Sequence, residues 1–343
     1  MNFQTEPEQE ALAASLRNLF QDRSSPAAMR ALWSTGTGRS PLLWRQLAEI
    51  GLPAILVPDR YGGAGGSISD LCVAMEEVGR CCVPDALVEA CVVAPSAILL
   101  AGDDAQRSAW LPGIASGEIR ATAALEGAPA VPDAHVCDLV IIEVGNELRL
   151  LQRTDREDIP LASMDPSRRL FRVSPLPDAD AALAGFAHAQ AEIRAYQQLA
   201  HAAVLVGLAQ AMLDQTVTYV TVRHQFGRAI GSFQAVKHQL AEATSLVTLA
   251  RIAVRAASAR VVAAEPGAHR AARLARICAG DAEREANRVA LQLHGGIGFT
   301  WENDLQMWLK RGKAFEQADG GHHALTQTAG EHTIATLQPN RRR

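Results

Sequence analysis

A chain of 343 residues is long enough for more than one domain and a large core. A net charge of −4 carries no nucleic-acid signature, and aromatic residues at 5% beside abundant alanine favour helix packing over a β-sandwich. The six cysteines (Cys72, Cys81, Cys82, Cys91, Cys137 and Cys278) lack zinc-ligand spacing, so no metal site is expected. All six read as reduced, mostly buried small hydrophobes. Residues 1–6 hold neither a basic nor an apolar region, and no uninterrupted apolar run reaches membrane-spanning length. A soluble, cytoplasmic protein is expected, with Arg341-Arg342-Arg343 as a solvated end.

Residues 1–118 read as helices punctuated by Gly and Pro. Over 8–20, Leu12, Leu16 and Leu19 share one helical face, and Pro7 suits the helix start. A short helix is expected over 44–50. Residues 51–66 contain two prolines and five glycines and cannot form regular helix. Helix resumes over 69–79.

The span 119–190 changes character. Leu139-Val140-Ile141-Ile142-Glu143-Val144 and Leu148-Arg149-Leu150-Leu151 flank Gly145-Asn146, a hairpin signal. Prolines at 129, 132, 160, 166, 175 and 177 break the rest into short pieces. A small, loop-rich β domain is expected here.

From about Ala189 helix returns and fills the third zone, 191–343. Long helices are expected over 234–264 and 268–293, with Pro266-Gly267 as the turn between them. Their Ala-rich faces suggest a close-packed bundle that oligomerises. The fold class is α+β: helical domain, small β domain, helical bundle.

Two segments carry chemistry. In Arg223-His224-Gln225-Phe226-Gly227-Arg228-Ala229-Ile230-Gly231-Ser232-Phe233-Gln234, arginine offers a rigid cationic fork suited to a pyrophosphate. The glutamines supply amide donors and acceptors, and the glycines permit a tight bend. Alone, this run also reads as an ordinary helix end with glycine at C′. The second segment is Gln292-Leu293-His294-Gly295-Gly296-Ile297-Gly298-Phe299. Its glycines superficially suggest a dinucleotide fingerprint, but residues 271–293 read as helix where that motif needs a strand.

Together the two segments resemble those of acyl-CoA dehydrogenases. So do Val57-Pro58-Asp59-Arg60-Tyr61-Gly62-Gly63-Ala64-Gly65 and Met75-Glu76-Glu77-Val78-Gly79-Arg80, and the order of the three zones extends the resemblance over nearly the whole chain. The resemblance implies FAD-dependent α,β-dehydrogenation of an acyl-CoA thioester. Arg223, Gln225, Phe233 and Gln234 would hold the adenine and pyrophosphate side of FAD. Gln292, Gly295 and Gly296 would approach the same FAD across a subunit interface.

The chain departs from the family pattern in two places. The middle zone is short: residues 121–127 run almost straight into Val131-Pro132, so a hairpin that flanks the flavin in full-length members is expected to be missing. The family's catalytic glutamate is also absent. Gap-free counting from Gly298 puts Asp319 at one of its two positions, and the other falls near Gln197, which cannot act as a base. Asp319 is therefore the candidate catalytic base, one methylene short. The alternative is that it opens a Gly-rich turn. Glu316 is a weaker candidate. These departures admit two readings: an active homo-oligomer, or a non-catalytic partner in an α2β2 heterotetramer like those of steroid side-chain degradation.

Overall fold

The computed structural model describes residues 5–125, 130–176 and 182–337. Six helices build the first zone: α1 (Pro7–Arg23), α2 (Pro26–Trp33), α3 (Pro41–Ile50), α4 (Ile68–Arg80), α5 (Ala94–Ala101) and α6 (Asp104–Ser116). Proline occupies the first turn of α1, α2 and α3, where its missing N–H costs nothing. The Ser25 and Ser40 side chains cap α2 and α3, and a Glu6–Gln9 capping box opens α1. The Gly- and Pro-rich loop after α3 closes on itself through Gly65 N–H to Val57 O (2.9 Å) and Gly66 N–H to Ile55 O (2.7 Å).

The middle zone holds two three-stranded sheets. In one, β1 (Ala121–Ala124) lies parallel to β3 (Leu139–Val144), which forms the expected hairpin with β4 (Glu147–Gln152). Gly145 takes a left-handed φ of 63° in its turn. In the other, β6 (Leu170–Ser174) runs antiparallel to both β2 (Val131–Pro132) and β5 (Glu157–Leu161). Buried ion pairs fasten this zone to the helices. Asp133 pairs with Arg39 before α3, and Asp165 with Arg311 on a later helix. The segment 126–129 in the shortened connection lies outside the described residues, as does the Arg341-Arg342-Arg343 tail.

The bundle consists of α7 (Phe186–Val222), α8 (Gln234–Val262), α9 (Ala268–His294), α10 (Leu305–Glu316) and α11 (His322–Leu337). A short hairpin, β7 (His224–Gln225) and β8 (Arg228–Ala229), joins α7 to α8. By length and mean composition α7 could cross a membrane, although polar residues such as Gln198, His201 and Gln210 interrupt its apolar stretch, as expected. Within this fold it is the central core helix: Leu199 to Ala209 are buried without a break.

The crossing of α4 and α7 is made by glycine. A Cβ on Gly79 would lie 2.0 Å from the Val204 carbonyl oxygen, and one on Gly207 would lie 2.0 Å from that of Glu76. Only glycine lets the two backbones meet so closely. The Ala-rich faces need a different reading from the one given by sequence. On α9, Ala272, Ala275, Ala279, Ala282 and Ala286 are buried within the chain itself, as are Ala243, Ala250 and Ala257 on α8. Small side chains here let α7, α8 and α9 pack closely, and those faces are not what an oligomer would cover. The exposed large apolar residues of α8 are instead Leu246, Leu249 and Ile252, with Val262 at its last position.

Candidate functional site

The two chemistry-bearing segments meet at one end of the bundle. Arg223 follows the last turn of α7, its N–H bonded to Tyr219 O at 2.9 Å. Tyr219 stacks on His294 at the end of α9 (ring centroids 4.3 Å apart), which brings Gln292, Gly295 and Gly296 beside the α7 terminus. The β7–β8 hairpin turns through Phe226 and Gly227, both at positive φ (54° and 79°). Phe226 stands 90% exposed, while Phe233 is half-buried beneath the Arg228 guanidinium, 4.0 Å from its ring.

Arg223, Gln225, Gln234, Gln292, Gly295 and Gly296 are all exposed. A Cβ added at Gly295 or Gly296 would meet nothing within 4 Å. This is an uncommitted set of a cationic fork, amides and open backbone, next to the N-terminus of the 29-residue helix α8. Such a set suits an anionic pyrophosphate, so these residues fit a dinucleotide cofactor.

A second feature lies elsewhere. A cavity of about 620 Å³ opens between α7, the π-helical turn Glu89–Val93, the middle sheets and the α10–α11 connection. Ala123, Ala124, Leu125, Pro132 and Met164 give it an apolar wall, while Glu89, Arg168, Gln197, His201, Lys313 and Asp319 give it polar groups. The two positions expected for the family's glutamate thus line one cavity. Gln197 and Asp319, 122 positions apart in sequence, come together there.

Asp319 does not suit the role of base. It sits at a left-handed φ of 60° in the turn Ala318–Gly320 and is buried. Its Oδ2 accepts from Arg276 Nε at 2.8 Å, and both its oxygens lie 2.9 Å from His201 Nδ1. Burial alone would raise its proton affinity. The charges and hydrogen bonds of His201 and Arg276 outweigh that and hold the carboxyl well below the usual carboxylate range. A carboxylate stabilised this strongly is a weak proton acceptor. The sequence reading treated Asp319 by its position alone. The clamp on it was not visible, because Arg276 and His201 lie 43 and 118 positions away. Glu316 is engaged by Arg284 and Lys313 at 2.8 and 2.9 Å.

Sequence missed Glu89, Arg168, His201 and Lys313 among the polar residues of the cavity. Glu89 lies in the π-helical turn, and its Oε1 is 3.6 Å from Arg168 Nη2. Arg168 falls in a proline-broken stretch that gives no pattern. His201 alone carried a signal: it stands four residues after Gln197 in an Ala-rich helix, hence on the same face.

One distance relates the two features. Gln197 and Arg223 lie on and just beyond α7, 26 positions apart, which at helical rise is about 39 Å. The phosphate-type segments and the cavity of one chain therefore stand too far apart to share one dinucleotide.

Residues 6–118 match the acyl-CoA dehydrogenase N-terminal domain, and residues 184–333 match the acyl-CoA dehydrogenase C-terminal domain. The acyl-CoA dehydrogenase IpdE2 of Mycobacterium tuberculosis is 34% identical over 315 residues, covering 89% of this chain and 90% of that one. Among solved structures, the Tcur3481-Tcur3483 steroid ACAD superposes with a TM-score of 0.87 at 27% identity, covering 97% of this chain and 99% of that one. The ChsE4-ChsE5 complex from Mycobacterium tuberculosis has the same fold, with a TM-score of 0.87 at 23% identity over 97% and 99% of the two chains. With similarity running through both helical zones and the middle sheets between them, the chain belongs to the acyl-CoA dehydrogenase family of FAD-dependent oxidoreductases.

Proposed function

We propose that this chain works as one subunit of an acyl-CoA dehydrogenase assembly in which its Arg223 and Gly295 segments hold the FAD of a neighbouring subunit. The observation that carries this reading is the separation of about 39 Å along α7 between those segments and the chain's own cavity. When bound, FAD supplies the hydride acceptor for α,β-dehydrogenation. The chain's residues supply the rest. Arg223 would meet the pyrophosphate, Gln225, Gln234 and Gln292 would orient the cofactor, and Phe233 would pack beside it. The cavity excludes water from the acyl chain with Ala123, Ala124, Leu125, Pro132 and Met164.

The exposed Leu246, Leu249 and Ile252 on α8 supply an apolar surface for subunit contact. Two of the matched structures carry paired chain names, one of them a steroid ACAD, which supports an α2β2 assembly acting on a bulky acyl-CoA. The six free cysteines support a reducing, cytoplasmic setting.

The test is to produce the chain alone and with a second acyl-CoA dehydrogenase-like chain from the same source, then measure mass by light scattering and flavin by absorbance. An oligomer carrying FAD is expected, with occupancy lowered at least tenfold by Arg223→Ala. A flavin-saturated monomer, or full occupancy in the variant, would refute the reading.

A further inference from the structure

We infer that Glu89 and Arg168 read a hydroxyl group on the acyl chain, so that the substrate held in this chain's cavity is an acyl-CoA carrying an alcohol. The inference rests on the reading above that the cavity holds the acyl chain, and goes beyond it in naming the class of that chain. It starts from a charged pair that the fold buries and leaves short of partners. Glu89 is 6% exposed, in the π-helical turn Glu89–Val93, yet it lines the cavity of about 620 Å³. Its Oε1 lies 3.6 Å from Arg168 Nη2, beyond hydrogen-bond reach, and neither side chain makes a hydrogen bond among the described residues. Within the Arg168 guanidinium only Nη1 is sealed off; Nη2 and the Glu89 oxygens keep accessible surface.

The other charged groups of the cavity are already engaged. Asp319 is clamped by Arg276 and His201, and Lys313 Nζ donates to Glu316 Oε2 at 2.9 Å. The Arg168 guanidinium lies over the Phe315 ring, 4.7 Å from its centroid, which restrains its position. Glu89 and Arg168 therefore stand side by side as an acceptor and a donor that line the same space. A buried charge without hydrogen bonds is costly, and π-helical turns occur often where function needs them.

The spacing selects the occupant. One oxygen can sit about 2.7 Å from Oε1 and about 2.9 Å from Nη2 at once, because the two atoms are 3.6 Å apart. An alcohol uses both: its O–H donates to the carboxylate, and its oxygen accepts from the guanidinium. A ketone could accept from Arg168 alone and would leave Glu89 unmatched. A carboxylate would set its charge against that of Glu89. A plain hydrocarbon would displace water from both ions and return no hydrogen bond. The apolar wall of Ala123, Ala124, Leu125, Pro132 and Met164 takes the rest of the chain.

The test uses the FAD-loaded assembly with its second chain. Dissociation constants are measured by isothermal titration calorimetry for straight-chain acyl-CoAs from hexanoyl to decanoyl, each in unsubstituted, ω-hydroxy and ω-carboxy form. At the best length the ω-hydroxy form should bind at least about tenfold tighter than the unsubstituted one. Arg168→Met should remove most of that preference. Glu89→Gln leaves the Arg168 cation unopposed and should favour the ω-carboxy form over the ω-hydroxy form. A merely structural role would weaken all three ligands alike and leave their ratios unchanged. No preference for the hydroxyl at any length in the wild type, or a preference that survives both substitutions and so belongs to the second chain's site, would overturn the assignment. Either result on an intact, FAD-loaded assembly would leave the subunit reading standing; an assembly without FAD would overturn both.

Discussion

Glu283 offers a quantitative test of how the α9–α10 contact is built. Its side chain is fully buried, with Oε1 accepting from Asn287 Nδ2 at 3.0 Å and Oε2 lacking a partner among the described residues. Opposite it is Gly312 of α10, where a Cβ would come within 1.9 Å of Oε1. Burial pushes the carboxyl from its ordinary 4.5 up to about 7, with Asn287 and Lys313 opposing only in part. The folded state thus binds a proton more tightly than the unfolded chain does. This favours folding fully below pH 4.5, and the advantage is lost as pH rises through about 7. By linkage the charged form costs roughly 3 kcal/mol at pH 8 and less than about 1 kcal/mol at pH 5. Glu283→Gln keeps the oxygen that Asn287 needs and removes the titration. Thermal melts at the two pH values should show the variant well above wild type at pH 8 and close to it at pH 5. A gap of equal size at both, or a less stable variant at pH 8, would refute the reasoning.

Two further changes probe the scaffold. Gly207→Ala drives a methyl group into the Glu76 carbonyl, which neither helix can move without disturbing the other; a loss of about 3 kcal/mol or more is expected, read as a lowered melting midpoint, and an unchanged midpoint refutes it. Arg39→Met leaves the buried Asp133 carboxylate without its main partner, although Arg120 Nη2 remains 3.7 Å away; about 3 kcal/mol should be lost in urea titration, and less than about 1 kcal/mol would show that the pair does not fasten the middle zone.

The helices were legible because local chemistry marked their ends: Pro7 for α1, Pro266-Gly267 between α8 and α9, Gly145-Asn146 for the β3–β4 hairpin. Strands β2, β5 and β6 were not. Each is at most five residues long, and Pro132 and Pro160 sit inside two of them, so their pairing is set by register across the zone and not by local pattern. The flavin-type segments were legible as contiguous motifs. The Arg276–Asp319–His201 cluster was not, since it draws on α9, the α10–α11 turn and α7, and only the fold brings them within 3 Å. Alanine misled for a related reason: composition reports that a face is small and apolar, and only packing decides whether another helix of the same chain covers it.

The glycine-mediated crossing of α4 and α7 sits near the midpoint of a rod about 55 Å long. It acts as a fulcrum, and the two functional features lie at very different distances from it. His201 is three residues from Val204 and would move less than about 0.1 Å for each degree that α7 tilts. Arg223, 19 residues beyond, would swing by about 0.5 Å per degree. On the proposed assembly, a small tilt of α7 would therefore shift the Arg223 end toward or away from a neighbouring subunit while leaving the cavity nearly in register.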